Sequence, residues 1–334
     1  MSYKIMATLF LLAFFIFSIE FVIAKRMDCC VSDGTYKVER IPGSKVGLGE
    51  GPYWDIPSQS LYYVDIYGGT LCRYDSKEHK VYKCKIENET LSSFMIPVEG
   101  QSNQFLVGCD RHVNIVEWNG VSETCKVKKT LTKVEQSLSE NRFNDAKCDP
   151  WGRLFGGTMR HTGDIYNYRD GFFYKYDKGN MEIIFSDIGI SNGLTWDKER
   201  KLFYYIDSLK YNCLVYDYDS ATGTIVKSSE RVFAKNIKQE GDQTLLPDGM
   251  TITDCGQILI SVYNGGKLLH YNRQGKLVKE FCLPAKLTTS VAFGGENLDE
   301  MYVTSKADDS EEGGYLFRIT GSGLKGLPMS NCKL

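Results

Sequence analysis

The chain has 334 residues, with 40 basic and 42 acidic side chains and a formal net charge of −2. No basic patch tracks a nucleic acid, and nothing in the balance selects a membrane surface or a polyanionic partner. The Lys-rich stretch at 126–129 reads as a solvated outer strand or loop.

Lys4 precedes an apolar run from Ile5 to Ala24, broken only by Thr8, Ser18 and Glu20. The run ends on the small residue of Val22-Ile23-Ala24, so residues 1–24 read as a secretory signal peptide, with an uncleaved signal anchor as the alternative. Secretion, or anchoring by the leader, follows from that reading. Residues 25–334 read as one domain.

Within that domain six segments open on an apolar strand, at Leu61, Phe105, Leu154, Leu202, Ile258 and Met301, spaced 44, 49, 48, 56 and 43 residues apart. Several units continue into a second strand ending in an aromatic and a polar residue, as at Arg73-Tyr74-Asp75, Lys175-Tyr176-Asp177, Val215-Tyr216-Asp217 and His270-Tyr271-Asn272. Gly, Asp, Asn and Lys follow, as hairpin turns require. No 3.6-residue apolar period runs beyond residue 25. A period of about 48 residues with four short strands per unit predicts an all-β fold, a six-bladed β-propeller with four-stranded blades. The strand-like Thr35–Glu39 segment would complete the last blade and close the ring.

Secretion turns the 11 cysteines into disulfide candidates. Cys72 and Cys84 flank a turn and are placed to face each other across a hairpin, and Cys29 or Cys30 is placed to tie the amino-terminal arm to Cys332. Burial as small hydrophobic residues is the competing reading for most of them. No cysteine or histidine spacing suits a structural zinc. Asn88-Glu89-Thr90 is a glycosylation sequon in an expected inter-blade loop.

Polar motifs recur at one phase of the repeat, ten or eleven residues before each strand marker. The six positions are Glu50, Phe94, Asn144, Asn192, Asp248 and Ser290. In a propeller that phase lies where the innermost strand approaches the axis. Two carboxylates and two amides there are hard oxygen ligands, suited to Ca²⁺ first, with Mg²⁺, Mn²⁺ or Zn²⁺ as alternatives. Arg142 stands two residues before Asn144, within reach of a polarised substrate oxygen. Asn-Gly and Asp-Gly pairs taken singly make turns; the shared phase favours one axial cation. Ser290 reads either as a substrate-side hydroxyl or as strand polarity. His161 and His270 are out of phase and read as surface or satisfied histidines. No Gly-x-Ser-x-Gly elbow is present, which disfavours a serine hydrolase.

Several motifs in order give the chain a recognisable signature: Gly-Leu-Gly-Glu-Gly-Pro-Tyr-Trp (47–54), Asn-Arg-Phe-Asn-Asp (141–145), Gly-Gly-Thr-Met (156–159), Ser-Asn-Gly-Leu-Thr-Trp (191–196), Tyr-Tyr-Ile-Asp-Ser (204–208), Pro-Asp-Gly-Met (247–250), Tyr-Asn-Gly-Gly (263–266) and Thr-Ser-Val-Ala-Phe-Gly-Gly (289–295). From about Val46 to Lys325 the chain resembles the regucalcin (senescence marker protein)/gluconolactonase family, which includes the luciferin-regenerating enzymes. The resemblance implies a six-bladed propeller with one divalent cation held by Glu50, Asn192 and Asp248, and a substrate held by Arg142 and Asn144. The implied chemistry is hydrolysis of a lactone, or of a related ester, by carbonyl polarisation and water attack, with Asp248 as base. A secreted calcium- or ligand-binding propeller without enzymatic activity is the alternative. The family often places a substrate-contacting Glu shortly after Gly-Thr-Met; here Arg160-His161-Thr162-Gly163-Asp164 follows, and no residue matches it.

Overall fold

Short β-branched and aromatic runs punctuated by Gly, Asn and Asp cannot fill helices, and they fold into antiparallel meanders. The computed structural model describes residues 36–334 except 236, 238, 241 and 242. The leader at 1–24, Cys29 and Cys30 therefore lie outside the described residues. Among the described residues the only helical piece is the 3₁₀ turn Ser208–Lys210, and no helix is long and apolar enough to cross a membrane.

The architecture is all-β, a propeller-like arrangement of four-stranded meanders. Four sheets have four strands each, and an eight-stranded sheet joins the first two units. The expectation of six separate blades is thus corrected. The outer strands Lys80–Ile86 and Thr124–Lys133 pair in parallel through Lys85↔Thr124 and Ile86↔Cys125, which fuses their two units edge to edge. The amino-terminal strand Lys37–Arg40 pairs with Phe317–Thr320 in the sheet of the last unit, as the strand-like start of the mature chain predicts.

The meanders close on one another through side-chain hydroxyls and an amide that donate to neighbouring backbone. Ser92 Oγ reaches Asp65 O at 3.1 Å, Ser93 Oγ reaches Phe143 O at 2.6 Å and Asn144 Nδ2 reaches Ser191 O at 2.8 Å. Ser208 Oγ reaches Pro247 O at 2.6 Å, Thr288 Oγ1 reaches Val262 O at 2.8 Å and Thr289 Oγ1 reaches Gly49 O at 2.6 Å. The last of these returns the chain to its first unit, so the six repeats form a closed circuit. Between the sheets lie aromatic layers. Trp54 stacks on Tyr302 at 5.1 Å between the first and last units, and Phe155, Phe173, Trp196, Phe203 and Tyr205 pack between the third and fourth. Each such pair adds about 0.5–1.5 kcal/mol beyond its buried area.

The disulfides differ from the sequence expectation. Cys84 bonds Cys125, not Cys72. Leu71, rather than Cys72, is the register partner of Cys84, so Cys72 and Cys84 project from opposite faces of the hairpin. Cys332 bonds Cys148 rather than Cys29 or Cys30. That bond, with Cys332 N donating to Pro97 O at 2.9 Å, lays the carboxy-terminal segment against the inner strands of the second and third units. Replacing Cys148 and Cys332 together by Ser is expected to cost about 2–5 kcal/mol in urea denaturation and to expose the last residues to protease. An unchanged midpoint and an intact tail would refute the anchoring role.

Candidate functional site

Five of the six innermost strands carry a β-bulge at one place. The register shifts between Glu50 and Tyr53, Phe143 and Ala146, Ser191 and Leu194, Pro247 and Met250, and Thr288 and Val291. The residues left out of the ladder there include Asn144 and Asp145, Asn192 and Gly193, Asp248 and Gly249, and Thr289 and Ser290. A bulge frees side chains from sheet alternation and re-aims them. Here it turns polar side chains toward the axis. Glycine is required where inner strands touch. A Cβ on Gly193 would lie 2.6 Å from Asp248 O, and one on Gly249 would lie 2.0 Å from Ser290 Oγ.

Glu50, Arg142, Asn144, Asn192 and Asp248 all line one cavity of about 90 Å³, and all five are buried. They come from the first, third, fourth and fifth units. The two other phase positions stay out of its lining. Phe94 is buried edge-on against Phe143 at 5.8 Å, and Ser290 leaves the cavity wall to its neighbour Thr289. Ser290 Oγ is buried without a partner against Gly249.

A hydrogen-bond relay fixes the amides. Arg142 Nη1 donates to Asn144 Oδ1 at 2.7 Å, Asn144 Nδ2 donates to Asn192 Oδ1 at 3.1 Å, and Asn192 Nδ2 donates to Ser208 Oγ at 2.9 Å. Ser208 spends its own proton on Pro247 O, so its oxygen accepts from Asn192. This direction of donation leaves the second lone pair of Asn192 Oδ1 free for a further partner.

The carboxylates are in electrostatic deficit. Burial, then the proximity of Asp145, pushes the Glu50 carboxyl from an ordinary 4.5 up to about 8. Burial pushes Asp248 well up as well, with Glu50 and Asp145 adding to it. Asp145 is raised by burial, while Arg142 and Lys147 are both lowered by it. Asp248 Oδ1, Asp145 Oδ2 and Arg142 Nε are buried and have no hydrogen-bond partner. A buried acceptor without a donor is costly, so Asp248 Oδ1, with the Glu50 carboxyl in the same cavity, is suited to a cation. Among the described residues no three His, Cys, Asp or Glu side chains alone form a metal-ligating group. The candidate donor set draws on an amide, Asn192, as well as on carboxylates.

Sequence reasoning missed Ser208, Asp145, and the cavity-lining Tyr67, Tyr166, Tyr263 and Lys306. Ser208 and Asp145 sit inside the quoted motifs, the first at the start of the 3₁₀ turn after Leu202–Asp207 and the second a single residue off the phase. His270 meets its expectation: it is buried against Gln257, with burial lowering its pKa to about 4. His161 does not, being half-buried with Nδ1 unpartnered. Behind the bulges, Lys147 Nζ donates across the axis to Met250 O. A second cavity of about 370 Å³ opens at that far end, walled by Trp196, Lys147 and the tail residues Leu327–Ser330. Of the six phase residues only Phe94 lines it.

The sequence model of the SMP-30/gluconolactonase/LRE-like region matches residues 48–307. The chain is 35% identical over 304 residues to regucalcin of Bos taurus, covering 87% of this chain and 97% of that protein. It is 35% identical over 311 residues to regucalcin of Homo sapiens, covering 87% and 96%. Among solved structures, a luciferin-regenerating enzyme superposes with a TM-score of 0.82 at 36% identity, covering 90% of this chain and all of that one. A calcium-binding regucalcin from Agrobacterium tumefaciens, 21% identical, superposes at 0.78 over 90% of this chain and 98% of that one, a likeness of fold.

Proposed function

The chain belongs to the SMP-30/gluconolactonase/LRE-like family, and from that premise we propose that it is a divalent-metal-dependent hydrolase that opens a lactone, or a related ester, in the axial cavity. The observation that carries this reading is Asp248 Oδ1, a buried carboxylate oxygen without a hydrogen-bond partner, in a cavity it shares with the buried Glu50 and Arg142. Two carboxylates of raised pKa at one point lack a positive partner close enough to neutralise them, and a hard cation supplies one. The fold behind the reading is six four-stranded units around one axis, two of them fused at their outer strands.

Glu50, Asn192 and Asp248 would hold the cation, Ca²⁺ by its oxygen donors, with Zn²⁺, Mn²⁺ or Mg²⁺ as alternatives. When bound, such an ion acts as a Lewis acid toward a carbonyl oxygen. The chain's own residues do the rest. Arg142, whose Nε is free, binds the ring or carboxyl oxygen of the substrate. Asn144, clamped between Arg142 and Asn192, fixes that guanidinium in place. Asp248 takes the proton of the attacking water through its free Oδ1. The water oxygen bonds to the carbonyl carbon, the ring C–O bond breaks, and the proton passes to the departing ring oxygen. The two disulfides support reading residues 1–24 as a secretory leader, since such bonds persist in oxidising compartments.

The test is lactone hydrolysis by mature protein stripped with EDTA and resupplied with Ca²⁺, Mg²⁺, Mn²⁺ or Zn²⁺. Activity that returns with a cation and not without one supports the proposal. Tight cation binding with no turnover of any lactone would move the chain to the non-enzymatic binding class.

A further inference from the structure

The cavity lining combines two chemistries. Beside Glu50, Asn144, Asn192 and Asp248 the lining includes apolar side chains, among them Met159, Ile165 and Leu246, and three tyrosines and a lysine. Tyr67 comes from the turn after Ser60–Asp65, and Tyr166 from the connection between Leu154–Arg160 and Gly171–Asp177. Tyr263 ends the strand Ile258–Tyr263, and Lys306 follows Glu300–Ser305. Three of the six units thus send a tyrosine to this cavity, and a fourth sends a lysine.

Resting on the lactonase reading, we propose that the substrate carries a flat aromatic ring bearing an anionic group, with the ring held between these tyrosines and the anion at Lys306. Tyr67 and Tyr166 are 51% and 52% exposed where they line the cavity, a large apolar area to leave uncovered unless a ligand covers it. All three rings line that one cavity. Tyr166 is not on a slack loop. Its backbone N–H donates to Asp164 Oδ1 at 3.2 Å, and Asn167 Nδ2 donates to Asp164 Oδ2 at 2.6 Å. Lys306 Nζ donates to the Tyr263 hydroxyl at 3.2 Å and lies 5.9 Å from the centre of that ring, so its hydrogen bond goes to a phenol rather than a carboxylate. It retains donors for an incoming anion.

A polyhydroxylated lactone would fit this wall poorly. Each buried hydroxyl needs a partner, and along the apolar and tyrosine part of the lining the partners reduce to phenol groups and one amine. The segment after Met159 brings Ile165 and Tyr166 to the cavity in place of an acidic side chain. Aromatic faces, by contrast, stack on a flat ring without any hydroxyl match.

The experiment compares kcat/KM of the metal-loaded protein on three lactones: glucono-δ-lactone, dihydrocoumarin and a ring-carboxylated dihydrocoumarin. The expected order is carboxylated aromatic, then plain aromatic, then sugar, each step roughly 10-fold. Tyr166→Ala should lower the ratio of aromatic to sugar lactone about 10-fold, and Lys306→Met should remove the gain from the carboxylate. A higher kcat/KM on the sugar lactone, or a charged-to-neutral ratio unmoved by Lys306→Met, overturns the proposal. If none of the three is hydrolysed, the lactonase reading has failed on its own. Calorimetric binding of 3-(2-hydroxyphenyl)propionate then decides the rim: binding that Tyr166→Ala and Lys306→Met weaken upholds it, and absence of binding overturns it.

Discussion

Asp248→Asn is expected to lower lactone hydrolysis by about 10²–10³-fold or more in kcat/KM while making the metal-free protein more resistant to heat at pH 8. The two effects have one cause. Asp248 is buried, its Oδ1 has no donor, and burial together with Glu50 and Asp145 holds its pKa well up. Ionised, it is a burden to the folded chain and the strongest candidate for base and cation ligand. An amide of the same shape removes both the charge and the chemistry. Activity and stability should therefore move in opposite directions, as at a site that stores strain for function. Initial rates on a lactone with saturating cation give the first arm, and a melting curve in EDTA gives the second. Activity within about 3-fold of the unsubstituted protein would remove Asp248 from the proposed machinery. A fall in both would make it a structural residue.

The residues that converge on the cavity were readable because they stand ten or eleven residues before their strand markers. Glu50, Asn144, Asn192 and Asp248 share a phase, and phase survives in sequence even when nearly 200 residues intervene. Asp145 was not readable as a third carboxylate, since a one-residue offset in a regular strand would turn it away, and only the bulge brings it near Glu50. Tyr67, Tyr166 and Lys306 come from turns and strand ends of unequal length, where no period applies. The fused sheet was hidden for a related reason. Nothing within either unit says that the outer strand of one will meet the outer strand of the next, and the Cys84–Cys125 bond that crosses this junction is equally non-local. Cysteine spacing suggested a hairpin bridge, but the hairpin register sets Cys72 and Cys84 on opposite faces.

The same buried charges predict a pH dependence of an unusual sign for acids. Glu50 has a folded pKa of about 8 against 4.5 for an unperturbed carboxyl. Below 4.5 both folded and unfolded chains hold the proton, and the stabilising contribution is complete. Between 4.5 and 8 the unfolded chain releases it while the folded chain retains it, so stability falls as pH rises and levels off above 8. The loss is on the order of 3–5 kcal/mol for Glu50 alone. Asp248 and Asp145 act in the same direction; Lys147, whose amine burial pushes down, acts in the opposite one. Urea denaturation in EDTA should therefore show a midpoint that drops from pH 5 to pH 8, and Glu50→Gln should flatten that drop. A cation at 100 times its Kd should restore about 2.7 kcal/mol, and should do so more fully at pH 8 than at pH 5, because the ion competes with protons for the same oxygens. Parallel pH profiles for Glu50→Gln and the unsubstituted protein would mean that the axial carboxylates are neutralised by their neighbours, leaving no deficit for a cation to fill.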